Sequence, residues 1–190
     1  MAGRSAATLA LGYEIFIQFD GYKAFDENSY GVGHLFIWCS NNLAAAVATQ
    51  AMLYEEMSGS QKYRNLLLNH VNGLLGLNPW NSSMITEIPK NRDNPRDVHI
   101  PFWRINKKAI KGSLVDGPLW STIHDQILAI ELSETDEYAH PQPKHIKYWD
   151  DWMDYSTNEP TLDGSAELLM VLTNLNNEAY LFRVKIGLKN

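Results

Sequence analysis

Between Tyr148 and Pro160 the segment YWDDWMDYSTNEP places four carboxylic acids, Asp150, Asp151, Asp154 and Glu159, among Tyr148, Trp149, Trp152 and Tyr155. Aromatic walls lower the local dielectric and disfavour the charged form, so a carboxyl group there can stay protonated near neutral pH. That is the requirement for a general acid acting on a glycosidic oxygen. The plainer reading of the same pattern is a solvated acidic loop with a few ring contacts. The chain also carries six Trp and nine Tyr, and indoles both fill cores and form the flat platforms on which sugar rings stack.

Other chemistries lack the residues they need. Gly31 and Gly33 give GVG without a third glycine or a following Lys-Ser/Thr, so no phosphate-cradling loop is expected. His34, His70, His99, His124, His140 and His145 are scattered, with no HExxH and no paired Cys, so no metal site and no cofactor is implied. No Ser sits in a GxSxG setting. Cys39, between Trp38 and an Ala-rich stretch, reads as a small buried hydrophobe, and as the single Cys it forms no internal disulfide.

The elements that must position these groups are mainly helical. Leu9, Tyr13, Phe16 and Ile17 recur at helical spacing within Arg4 to Phe19. The run from Asn41 to Met57 is rich in Ala and Leu, with Asn41 or Asn42 as the expected N-cap and Gly59 beyond its end. A second helix is expected from Ser60, with Tyr63, Leu67, Val71 and Leu74 or Leu75 on one stripe and Gly76 as the stop, and the two form an antiparallel hairpin. From Leu77 to about Leu119, Pro79, Pro89, Pro95, Pro101 and Pro118 interrupt any long helix and predict a long loop region, where function concentrates. Helical character is weaker from Ser121 to Leu132, and another helix is expected from Thr161 to Leu175, with Pro160 suited to its first turn. In the tail, Phe182, Val184, Ile186 and Leu188 alternate with polar residues or glycine, which predicts a short strand.

The 190 residues suggest a single domain, and 45% hydrophobic with 20% charged residues is enough apolar material for a core. The 22 acidic against 16 basic side chains argue against binding a phosphate backbone, so nucleic acid is not an expected partner. No stretch approaches the roughly 18 apolar residues of a membrane helix. The opening MAGRSAATLALGYEIF carries Arg4 and then Glu14 inside its apolar run, so neither an anchor nor a signal peptide is expected.

Several of these segments resemble glycoside hydrolase family 9, the inverting cellulases built as an (α/α)6 barrel. The family's C-terminal signature is an aromatic, one residue, Asp, four residues, an aromatic, three residues and Glu, which Tyr148, Asp150, Tyr155 and Glu159 fit, with Thr161 and Ala166 at following positions. Ser165 stands where the family has Asn. Upstream, Leu75, Gly76, Asn78, Pro79 and Ser83 resemble its Leu-Gly-x-Asn-Pro segment, and GSLVDGP resembles its Val-Gly-Gly-Pro turn with Asp116 in place of a glycine. The family's substrate loop ends in His-x-Arg, whereas His99 is followed by Ile100 and Pro101, the next Arg being Arg104. The Asp-Ala-Gly-Asp motif that supplies the family's base does not occur in these residues. Twelve helices of about 12 residues with connections of about five would need roughly 200 residues before any functional loop, so the chain resembles the C-terminal half of the barrel.

The resemblance implies an all-α fold of helical hairpins and hydrolysis of β-glucan bonds. Glu159 would be the general acid, with Asp150 nearby to tune its pKa or bind a hydroxyl. It implies β-glucan or cello-oligosaccharide contacts through His99, Trp103, Arg104, Trp120 and Tyr155, and an extracellular or periplasmic location. Asp116 is a candidate substitute base, although an acid beside Gly117 and Pro118 is more often a turn former. Half a toroid would expose apolar helix faces, so self-association, a separate N-terminal half or a rearranged compact fold is expected. Two further readings remain open: a non-catalytic glycan-binding module with Trp103, Trp120, Trp149 and Trp152 as platforms, and a helical protein-interaction domain.

Overall fold

The Ala-rich run after Trp38 contains no Gly or Pro, and it forms helix α1, Ser40–Ser58. In the computed structural model, residues 30–127 and 130–185 are described, so the expected Arg4 to Phe19 helix lies outside the described residues. Gly59 ends α1 at φ 70°, its N–H donating to the Glu55 carbonyl at 2.8 Å, the left-handed stop that glycine adopts most readily.

The start of α1 departs from expectation. Cys39, at φ 59°, is the N-cap and offers no side-chain cap. Tertiary contacts take the two asparagines instead: Asn41 Nδ2 donates to the Val115 carbonyl at 2.8 Å and Asn42 Nδ2 to Thr161 Oγ1 at 2.9 Å. Both side chains lie against glycines, since a Cβ on Gly117 would collide with Asn41 and one on Gly164 with Asn42.

Helix α2, Arg64–Leu74, starts four residues later than the pattern suggests. The Ser58 hydroxyl accepts from Ser60 N at 3.1 Å and the Ser60 hydroxyl from Lys62 N at 3.3 Å, local bonds that compete with the first helical turn. Ala48, Ala51 and Met52 of α1 pack against Leu66, Leu67 and Val71 of α2 and Val171 of the last helix. Alanines allow this close approach, and burial of apolar side chains supplies the stabilisation, about 25 cal/mol per Å². Arg64 Nη1 joins the three helices at the surface, 3.3 Å from Glu55 and 3.1 Å from Glu178.

The proline-rich region is irregular but tightly held. The Ser83 hydroxyl donates to the Ile88 carbonyl at 2.6 Å and accepts from Ile85 N at 3.1 Å. One element there was not expected: α3, Pro101–Asn106, in which Pro101 opens the helix instead of breaking one. Strands β1, Leu119–Trp120, and β2, Ile146–Lys147, pair antiparallel with Leu119 opposite Lys147. Helix α4, Ser121–His124, is a single turn, shorter than the expected Ser121 to Leu132.

The last helix, α5, runs Leu162–Lys185. The expected C-terminal strand is therefore corrected: Phe182 and Val184 fall within a continuous helix, while Ile186 and Leu188 lie outside the described residues. Helix propagation adds one bond per residue fixed, and Arg183 and Lys185 in the last turn suit the negative end of its dipole. Among the described residues no helix is long and apolar enough to cross a membrane.

Candidate functional site

The loop of residues 148–160 has almost no regular structure, so buried polar groups hold it. Asp154 Oδ1 accepts from Ser156 N at 2.9 Å and Thr157 N at 3.1 Å, and Oδ2 from the Thr157 hydroxyl at 2.7 Å. His124 Nε2 lies 3.1 Å from the same Oδ2. Burial pushes the Asp154 carboxyl up, but these donors outweigh it and hold it below the usual carboxylate range. Asp151 accepts from Ser133 N at 2.8 Å, Glu134 N at 3.0 Å and Met153 N at 2.7 Å. Asp150 accepts from Arg96 N at 2.8 Å, Asp97 N at 3.2 Å and Asn158 Nδ2 at 3.0 Å. Burial prevails over these donors and pushes its carboxyl up to about 7.

Three of the four acids are thus buried and occupied with main-chain groups, so the solvated-loop reading does not describe them. Glu159 differs. It is half-buried, and its carboxyl accepts no hydrogen bond from the described residues. Its own main chain is fixed: Asp116 N donates to the Glu159 carbonyl at 2.9 Å, Gly117 N to Thr157 O at 2.8 Å and His99 N to Asn158 O at 2.9 Å, with Val115 bridged antiparallel to Pro160.

A row of rings lies beside this loop. Trp38 meets Tyr155 with centroids 5.9 Å apart, Tyr155 meets His99 at 6.0 Å, His99 stacks on Trp152 at 4.8 Å and Trp152 stacks on Trp103 at 6.0 Å. Two cations lie over it, Arg104 5.0 Å from the Trp152 ring and Lys107 3.9 Å from the Trp103 ring. The His99 Nδ1–H donates to the Trp152 carbonyl. Trp103 is buried, whereas Trp38 is 43% exposed.

The structure therefore gathers His99, Trp103, Arg104 and Tyr155 into one wall and adds Trp152 and Trp38. Trp120 stands apart, in edge contact with Phe36 at 5.9 Å on an apolar cavity of about 490 Å³ lined also by His34, His70, Trp80 and Met84. Trp149 packs edge-on against His124 instead, at 4.4 Å. Sequence reasoning missed Trp38 as a member of the wall. Its position immediately before a helix start was the available signal, and only the tertiary contact with Tyr155 gives it meaning.

Asp116 and Cys39 complete the surroundings of Glu159. Asp116 is 1% exposed, and burial, with Glu159 also nearby, pushes its carboxyl up to about 7. Burial and Asp116 push the Cys39 thiol up to about 12, so it is a neutral neighbour. Among the described residues no group of three or more His, Cys, Asp or Glu is arranged to hold a metal ion. The arrangement offers an aromatic wall with directed donors and, near Cys39 and Asp116, the Glu159 carboxyl, left without a hydrogen-bond donor among the described residues.

Comparison with known proteins fits this geometry. No curated protein matches the chain. A metagenome-derived glycoside hydrolase family 9 endoglucanase superposes with a TM-score of 0.64 at 28% identity, over 80% of this chain and 26% of that one. The family 9 endoglucanase J30 gives 0.65 at 24% identity, over 90% and 30%. AaCel9A, solved with a cellobiose-like isofagomine, gives 0.66 at 19% identity, over 90% and 31%. The chain thus spans between about a quarter and a third of the length of these structures, and its fold is the all-α arrangement of helical hairpins they contain. The model for glycosyl hydrolase family 9 matches residues 2–172, and the chain belongs to that family.

Proposed function

We propose that the chain forms the acid side of a β-glucan-hydrolysing site of the β-1,4-glucanase type, with Glu159 as the general acid. One observation carries this reading: of the four acids in the signature loop, Glu159 alone is left without a hydrogen-bond donor among the described residues, near Cys39 and Asp116. The endoglucanase at 28% identity supports the substrate class. A glycosidic leaving oxygen needs a proton, and an inverting reaction needs a second carboxyl about 6.5–9.5 Å away to activate water. The family's Asp-Ala-Gly-Asp base motif is absent from these 190 residues, so the base half of the site is missing or replaced.

The side chains divide the remaining work. Trp38 and Trp152 offer ring area to a sugar, and Tyr155, His99 and Arg104 offer directed polar atoms. Trp103, buried beneath Lys107, supports Trp152. Asp150 acts as a positioning residue, holding the Arg96 and Asp97 amides and through them the irregular segment that carries His99. Trp120 would serve a separate platform. Reducing-sugar release from soluble β-glucan tests the reading: Glu159→Gln keeps the shape and removes the transferable proton, and the rate should fall by about two to four orders of magnitude. An unchanged rate would remove Glu159 as the acid. A second reading, glycan binding without hydrolysis, is favoured by the complete wall beside an incomplete carboxyl pair. Retardation in carbohydrate affinity gels with no sugar release would select it.

A further inference from the structure

The cations of the chain are unevenly placed. Although acids outnumber bases by 22 to 16, positions 98–115 hold no Asp or Glu and carry Arg104, Lys107, Lys108 and Lys111. All four are exposed, and among the described residues none forms an ion pair. Asp97 lies within electrostatic range of Lys107 without pairing with it, and burial, with Glu134 and Asp151 nearby, pushes the Asp97 carboxyl up. The four charges are left without a carboxylate of the protein's own.

Unpaired surface cations are ordinarily loose in water, but two of these are held. Lys107, at φ 54°, closes α3 with its N–H donating to the Trp103 carbonyl at 2.6 Å, and its ammonium lies 3.9 Å from the centre of the Trp103 ring. The Arg104 guanidinium lies 5.0 Å from the centre of the Trp152 ring. Cations laid on rings give up part of their rotamer freedom before any ligand arrives, which lowers the cost of binding an anion. The ring row is therefore polar along its length. Its Trp103 end carries two held cations. At the other end Trp38 lies beside Asp116, and the titratable groups that act on Asp116 there are Cys39, Glu159 and Asp163, none of them a cation.

We propose that the glycan taken by this wall is acidic: a β-glucan bearing carboxylate groups on some of its sugars, held by Arg104, Lys107 and Lys108 at the Trp103 end, with uncharged sugars at the Trp38 end. The Arg104 fork suits the two oxygens of a carboxylate, and charge-assisted bonds to it are stronger than those a neutral hydroxyl makes. A carboxylate at the Trp38 end meets Glu159 with no cation to offset it, so the same arrangement sets the direction in which the chain lies. The proposal rests on the wall being a sugar-binding surface and goes beyond that reading by naming the charge of the sugar. Phe102 and Ile105 are also exposed on α3, which an anionic lipid surface would use, but the two held cations lie on the ring row, which favours the glycan.

Calorimetric titration of the full chain tests this without turnover, using a soluble β-1,4-glucan and the same glucan partly oxidised at C6 to carboxylate. At low salt the oxidised glucan should bind about tenfold tighter. The advantage should vanish in about 1 M NaCl, where the screening length is about 3 Å. Replacing Lys107→Gln together with Lys108→Gln should bring the two affinities within about twofold of each other, mainly by weakening the oxidised glucan. Circular dichroism checks the fold of that variant, and Lys108→Glu alone keeps the test intact if the pair does not fold. Equal affinities in the parent, or a preference that survives these substitutions, overturn the acidic class and leave the wall standing. No binding of either glucan overturns both. Polyglutamate, or vesicles of phosphatidylcholine with phosphatidylserine, bound as tightly as the oxidised glucan would overturn the glycan in favour of an acidic peptide or a lipid surface.

Discussion

Replacing Asp154 by Ala should cost more stability than any other single change to an acid in the signature loop. Its carboxyl is fully buried and accepts from Ser156 N at 2.9 Å, the Ser156 hydroxyl at 2.6 Å, Thr157 N at 3.1 Å and the Thr157 hydroxyl at 2.7 Å, with His124 Nε2 at 3.1 Å. The two amides cannot turn to water, and each buried donor left unsatisfied costs about 1–3 kcal/mol, while the hydroxyls can rotate and recover part of theirs. The terms are not additive. The expected loss is therefore about 3–5 kcal/mol, a large part of the 5–15 kcal/mol typical of a folded domain. Because Asp154 is held below its ordinary value, its contribution is fully present above about pH 4 and is lost as pH falls through the lower folded-state value. Urea unfolding followed by circular dichroism at pH 7 and pH 3 checks both parts. A difference below about 1 kcal/mol at pH 7, or one that does not shrink at pH 3, would refute the reasoning.

The other expectations address the wall, the packing and the second buried acid. Trp38→Ala should weaken cello-oligosaccharide binding about tenfold in affinity gels with a smaller effect on unfolding than Trp103→Ala, because Trp38 is 43% exposed. Trp103→Ala should instead lower stability by about 3–5 kcal/mol, since Trp103 is a core side chain. Gly117→Ala places a Cβ inside the Asn41 side chain at a residue with φ 88°, and unfolding should show a loss of about 2–4 kcal/mol. Asp150 has the opposite sign to Asp154: its folded value, about 7, lies above its unfolded one, so its share of stability falls as pH rises from about 4 to about 7 and is level beyond. Urea midpoints measured across that range should slope less in Asp150→Asn than in the parent.

The helices were legible where their signals were local. The Ala run of α1 and Gly59 and Gly76 as stops each carry their meaning within a few residues of sequence, whereas Pro160, expected in the first turn of α5, lies before it and bridges Val115. What was not legible depended on the partner. Asn41 and Asn42 look like caps, but Val115 and Thr161, more than 70 residues away, take their side chains. Pro101 counts as a breaker until its position as the first residue of α3 is known. The tail alternates with period two, yet in-line continuation of α5 decides its conformation. The acids were recognised as unusual from their aromatic neighbours, but which of them hold the chain and which one is left over depends on amides contributed by Arg96, Asp97, Ser133 and Glu134. Asp116 looked like a turn former beside Gly117, and only the tertiary structure shows its amide donating to the Glu159 carbonyl.

The contact of Asn41 and Asn42 with Gly117 and Gly164 makes the two sides of the site unequal in stiffness. Trp38, Asp116 and Glu159 are all tied to the start of α1 through backbone laid against side chain, with no layer of long side chains between them to deform. Packing this close has low compressibility. Across the ring row, α3 is only six residues long, with Phe102 and Ile105 turned outward. If the proposed reading holds, the yielding that admits a chain of sugars comes from α3, so the compliance of the site, and with it tolerance for differently shaped ligands, would belong to a helix that carries none of the acids.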